Sequence, residues 1–197
     1  MDLKLVLLLG CMVYVTNAKS KKKVVEYTLG GSFTEQLDDG CNCMKYEVYC
    51  QQPRKDHHYN MNARQFCRSR SIHPLGPKGR LAVLNNPSID SKVRKFIIEN
   101  NLHGPKCITK YGFWIGLSDR AHEGEFAWSD GGSFCDGDYS NWAPDEPNNS
   151  KNRKGSGQDC VQLWFRYDYE GLWDDEYCDV RPKGFICEVP DPRCHTA

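Results

Sequence analysis

The stretch "DCVQLWFRYDYEGLWDDEYC", Asp159 to Cys178, reads as two antiparallel strands joined at "YDYEG". Branched and aromatic residues fill both arms, and the connection is rich in turn formers. Cys160 and Cys178 bracket the hairpin. A disulfide between them would tie the end of the preceding loop to the arm that carries Asp174 and Asp175.

Working outward, the segment before the hairpin, "SNWAPDEPNNSKNRKGSG" (Ser140–Gly157), has neither a period of two nor one of 3.6. Long irregular segments in compact domains are uncommon and are usually functional or disordered. Further back, "GFWIGLSD" and "GEFAWSDG" read as short strands around a turn. "NNPSIDSKVRKFIIENN" reads as a helix with Asn86 as cap, Pro87 at the first helical position and Val93, Phe96 and Ile97 on one face. "NMNARQFCRSR" reads as another helix with Ala63, Phe66 and Cys67 inward, "MKYEVYC" as a strand, and "KGFICEV" as the last strand. Helices come early and strands late, so the expected class is α+β with an antiparallel sheet.

The chain has 197 residues, 39% of them apolar and 26% charged, which suits one packed domain with a short extension. Lys plus Arg equals Asp plus Glu at 26 each, and that balance argues against nucleic acid as the default partner. Residues 1–18 read as a secretory signal, with an apolar run from Leu5 to Val15. That run, about 11 residues, is too short to span about 30 Å of hydrocarbon, and no later one is long enough. A secreted, extracellular protein is therefore expected. Residues 19–40 read as a polar tail that starts basic, with Lys19, Lys21, Lys22 and Lys23. The domain is placed at residues 41–197. Of the eleven Cys, ten lie beyond the signal, and an even number in an oxidising compartment implies a disulfide framework. The surface pair His57–His58 carries no assigned role.

Calcium takes six to eight oxygen ligands, usually carboxylates mixed with amide carbonyls. Glu146 and Asn148 flank Pro147, and a cis bond there would turn both side chains to one side. Downstream, Asp174 and Asp175 are adjacent after Trp173. On spacing alone, a plain turn and a solvated acidic pair remain open readings.

"WIGL" at Trp114–Leu117, "EPN" at Glu146–Asn148, "DC" at Asp159–Cys160, "WDD" at Trp173–Asp175 and "FICE" at Phe185–Glu188 together resemble the C-type lectin domain. So does "ARQFC" followed by "GRLAVL". The resemblance spans about residues 41 to 189. It implies the C-type lectin fold: two helices flanking antiparallel sheets, with a long irregular calcium- and ligand-binding loop. It also implies the bridges Cys67–Cys187 and Cys160–Cys178. The long form of the family adds an N-terminal bridge from Cys50 to Cys41 or Cys43; with Cys41–Cys50, the expected remainder is Cys107–Cys135 and Cys43–Cys194.

The family's principal calcium site carries over to Glu146, Asn148, Gln158, Asp174 and Asp175. Gln158 stands where the family has Glu, and Asp174 where it has Asn. An amide and a carboxylate have changed places, so the ion still meets three charges. Affinity is expected in the weak extracellular range, about 10⁻⁴–10⁻³ M. Glu146, Asn148, Gln158 and Asp174 would also hydrogen-bond a sugar diol, and EPN goes with mannose, N-acetylglucosamine or fucose rather than galactose. An auxiliary calcium site would use Asp119, Glu123, Asn149 and Asp159, with less charge than usual. Lys151, Arg153 and Lys154 read as solubilising charges of the loop.

The leading expectation is a secreted calcium-dependent lectin with glycan partners and no catalysis; no H-E-x-x-H or G-x-S-x-G motif is present. One module binds a monosaccharide at about millimolar strength, so clustering or self-association would be needed for avidity. The competing expectation is a calcium-independent domain of the same fold that binds protein or mineral surfaces.

Overall fold

The computed structural model describes residues 27–37, 42–51, 59–104, 107, 112–152, 157–166, 168–179 and 183–193. The expected signal, the lysines before Val24, Cys41, His57–His58, Arg153, Lys154 and Cys194 lie outside them. Among the described residues there are eight strands and two helices, in the order β1 (Thr28–Gln36), β2 (Cys43–Cys50), α1 (Asn60–Ser69), β3 (Arg80–Leu81), α2 (Pro87–Glu99), β4 (Phe113–Ser118), β5 (Ala127–Trp128), β6 (Cys160–Trp164), β7 (Leu172–Glu176) and β8 (Gly184–Asp191).

The strands join in one sheet along the path β1-β2-β8-β4-β6-β7, with β3 on β8 and β5 on β4. The expected hairpin forms, with Cys160 opposite Glu176 and Gln162 opposite Asp174. The sheet is not wholly antiparallel: β4 and β8 run parallel, Phe113 opposite Gly184. This pair joins two ladders at the centre, where alternating patterns cannot reveal strand direction.

Residues 28–36 form a strand rather than tail. Within it, "GGS" is a close-packing site. A Cβ on Gly30 would come within 2.7 Å of the Cys50 sulfur, and one on Gly31 within 2.9 Å of the Phe96 ring. Phe33 then stacks on Tyr46, with ring centroids 5.2 Å apart.

Both helices follow their sequence signals. The Asn86 side chain accepts from the N–H of Ser88 at 2.8 Å and of Ile89 at 3.4 Å, and Val93 and Ile97 are buried. Helix α1 buries Ala63 and Cys67, while Phe66 packs on Tyr49 and Phe185. At its end, Arg70 reaches the buried Glu47 of β2 with two hydrogen bonds, 2.9 and 3.1 Å, joined by Lys45 and Tyr49. Burial alone would raise the Glu47 carboxyl pKa, but these donors outweigh it and hold it at about 2.

Cys67–Cys187 and Cys160–Cys178 are bonded as the resemblance implied. Cys50 pairs with Cys107, with Cα atoms 4.5 Å apart. That corrects both Cys41–Cys50 and Cys107–Cys135, because the end of β2 meets the chain just after α2. Cys135 is free and exposed. Cys43 is also bonded, to a partner outside the described residues. Each bridge stabilises by about 2–4 kcal/mol.

Candidate functional site

The long segment before β6 is fixed to the sheet from below. Asp90, fully buried in the first turn of α2, accepts from Trp173 Nε1 at 2.9 Å, Arg94 Nε at 2.8 Å, Tyr139 Oη at 3.0 Å and Asn141 Nδ2 at 3.1 Å. Burial, with the Asp90 charge beside it, pushes the Tyr139 hydroxyl up to about 12. The Trp173 backbone pairs with both Asn141 and Ala143, at 2.7 and 2.8 Å. The loop is thereby held beside β7 just before Asp174 and Asp175.

The peptide bond from Glu146 to Pro147 is cis, the geometry that would turn both flanking side chains to one side. Glu146, Asp174 and Asp175 each present a carboxylate oxygen, and these oxygens lie within 4.8 Å of one another. Asn148 stands against Glu146, donating from its side chain at 2.7 Å and its backbone at 3.1 Å. The Asp175 oxygens accept the N–H groups of Asn148 and Asn149 at 3.0 and 2.8 Å. Asn149 adopts φ 43°, a left-handed conformation that Asn tolerates.

The Ser150 N–H is shared by the side-chain oxygens of Asn148, at 2.9 Å, and Gln158, at 2.8 Å. Both expected amide ligands therefore turn their oxygens to one spot. The Gln158 amide nitrogen, however, donates to the Asp175 carbonyl at 2.7 Å, and its backbone N–H to Asn149 Oδ1 at 3.0 Å. Gln158 thus also closes the neck of the loop. Tyr177 adds a hydroxyl to the Ser150 carbonyl at 2.7 Å.

Burial, the hydrogen bond to Asp175 and the charges of both aspartates push the Glu146 carboxyl up to about 9. Burial also raises Asp174, to about 6, against the opposing pull of Gln162 and Lys183. Like charges gathered out of water favour a proton or a cation between them. A hard divalent ion fits a donor set made wholly of carboxylate and amide oxygens.

Asp119, Glu123 and Asp159 do not converge into a comparable trio among the described residues. Asp119 is buried; one of its oxygens accepts the Gly124 N–H at 2.9 Å and the other has no hydrogen-bond partner. Burial raises the pKa of Asp119 and of Asp159, with the Glu123 charge adding to both. Asn149, of the same set, donates its side chain to Glu123 and its backbone N–H to Asp175, which links this set to the principal one.

Sequence reasoning missed Asp90, because an acidic residue in a first helical turn also suits the helix dipole. It also missed the buried polar face behind Asp174. There Gln162 donates to Asp174, Lys183 lies 3.3 Å from Glu176, and Lys183 stands 4.9 Å over the Trp114 ring. Only period-two placement opposite Asp174 could have singled out Gln162.

The lectin C-type domain model matches residues 58–189. The chain belongs to the C-type lectin domain family. It is similar to the low affinity immunoglobulin epsilon Fc receptor of Mus musculus, 33% identical over 150 residues, which are 75% of this chain and 38% of that protein. It is also similar to the alpha-N-acetylgalactosamine-specific lectin of Patiria pectinifera, 32% identical over 96 residues, 46% of this chain and 52% of that one. The chain thus spans well under two thirds of these curated relatives. Among solved structures, the human scavenger receptor C-type lectin carbohydrate-recognition domain matches with TM-score 0.54 and 27% identity, covering 79% of this chain and 94% of that one. The C-type lectin fold expected from the sequence is the fold observed, and this lectin-family chain has carbohydrate-recognition domains among its relatives. No helix of the described residues is long and apolar enough to cross a membrane.

Proposed function

We propose that this chain is a secreted lectin that binds glycans through calcium. Glu146, Asn148, Gln158, Asp174 and Asp175 hold the ion, and Glu146, Asn148, Gln158 and Asp174 hydrogen-bond two vicinal hydroxyls of a sugar. The observation that carries this reading is the approach of the Glu146, Asp174 and Asp175 oxygens to within 4.8 Å of one another. Bound calcium would offset the repulsion between the carboxylates and take hydroxyl oxygens as further ligands. The chain's own groups orient the sugar: carboxylates accept from its hydroxyls and amide N–H groups donate to them. The EPN sequence favours mannose-type hydroxyl pairs. The name of the Patiria relative points instead to N-acetylgalactosamine. Asp119, Glu123, Asn149 and Asp159 would serve only as a weaker auxiliary site, their carboxylates being less closely gathered than the principal three.

A second reading, calcium-independent binding of a protein or mineral surface, is supported by the hydrogen bonds that already organise the loop. The N–H groups of Asn148, Asn149 and Ser150 all have side-chain acceptors. Retention on mannose-agarose and on N-acetylgalactosamine-agarose, with calcium and then EDTA, separates the readings. Retention on either resin that EDTA releases supports the lectin; no calcium-dependent retention on either overturns it.

A further inference from the structure

A second cleft, of about 730 Å³, lies between α1 and the β4–β5 region. Arg64, Arg68 and Arg120 line it, over a floor that includes Met61, Ala127 and Trp128. Arg64 and Arg68 are four apart on one helix, so their charges share a face. Arg120 comes from the opposite wall and lies against the Met61 thioether. No carboxylate lines the cleft, and among the described residues none lies within ion-pair distance of the three arginines. Burial, with the charges of Arg68 and Arg120, lowers the Arg64 pKa from its ordinary value. Three like charges drawn together across two elements are unfavourable; Asp159, outside the cleft, feels the Arg120 charge, but no carboxylate stands between the three arginines.

We propose that this cleft is an anion subsite that takes a sulfate-bearing saccharide, its sulfate esters on Arg64, Arg68 and Arg120 and its carbon-bound faces on the apolar floor. The proposal deepens the glycan-binding reading and rests on it. Guanidinium forks match the planar pairs of oxygens on sulfate esters. The volume is that of a small-ligand site, about 300–1,000 Å³. The saccharide, rather than an acidic peptide, follows from the glycan-binding reading on which this proposal rests. The overall charge balance of the chain conceals this local excess.

The test is surface plasmon resonance of the full chain on an immobilised sulfated heparin-type oligosaccharide, in EDTA so that the calcium site does not contribute. Arg68→Ala/Arg120→Ala is expected to weaken binding at least about tenfold and to flatten its salt dependence. Calcium-dependent retention on the neutral sugar resins should be unchanged, so failure of one site is distinguishable from failure of the other. Both side chains are exposed, and circular dichroism verifies that the variant folds. A triple Lys21→Ala/Lys22→Ala/Lys23→Ala variant should bind like the parent. Unchanged binding by the arginine variant, loss confined to the lysine variant, or equal capture by the desulfated oligosaccharide or by polyglutamate would each overturn the proposal.

Discussion

Replacing Asp90 by Ala should loosen the binding loop from below. The buried Trp173 indole N–H would lose its acceptor, which costs about 1–3 kcal/mol. Tyr139 and Asn141, both half-buried, would each lose a hydrogen bond of about 0.5–1.5 kcal/mol. The Arg94 pair adds less than about 1 kcal/mol, because the guanidinium, 23% exposed, reaches water. The total is about 4 kcal/mol, or roughly 8–16 °C in melting temperature at about 2–4 °C per kcal/mol. Thermal unfolding followed by near-ultraviolet circular dichroism reads this directly, because Trp173 lies at the centre of the change. Asp90→Asn keeps the shape and one acceptor oxygen and should fall between the parent and the Ala variant. A drop below about 3 °C for Asp90→Ala would refute the claim that this carboxylate anchors the loop.

Glu146→Gln removes one of three converging carboxylates. It should weaken calcium binding at least tenfold by isothermal titration while leaving the calcium-free melting temperature unchanged or higher. The double variant Gln158→Glu/Asp174→Asn places a carboxylate against the Asp175 carbonyl; its melting temperature in EDTA should fall, and calcium should raise it by more than in the parent. Glu47 sits well below its usual carboxylate value, so its stabilisation is full above about pH 4.5 and is lost as pH falls towards about 2. That is about 3 kcal/mol, and Glu47→Gln should flatten this limb of an acid-unfolding curve. Asn148 belongs to the sequon "NNS" and is exposed, yet it should be unglycosylated by intact mass, since a glycan there would block its role as a ligand.

The helices and the hairpin were legible because each has a local signature: the Asn86–Pro87 start of α2, the apolar face of α1, and the turn between β6 and β7. Pro147 marked where a cis bond could form, though the sequence did not say that it does. What escaped was non-local. The close packing at Gly30 and Gly31 was not legible, because nothing in the sequence announces the sulfur and the ring they abut. The pairing of Cys50 with Cys107 depends on where the chain after α2 returns, which spacing does not encode. Gln158 was legible as an oxygen donor but not as a strap, since the same amide reaches both Ser150 and the Asp175 backbone.

That strap has an engineering consequence. Ser150 and Gln158 are pinned to each other, and Gln158 to Asn149, so the two ends of this segment are held together. Lengthening such an excursion costs little, about 0.6 kcal/mol per doubling. A randomised library grafted between Lys151 and Gly157 could therefore retarget the domain while the Glu146, Asp174 and Asp175 cluster stays in register.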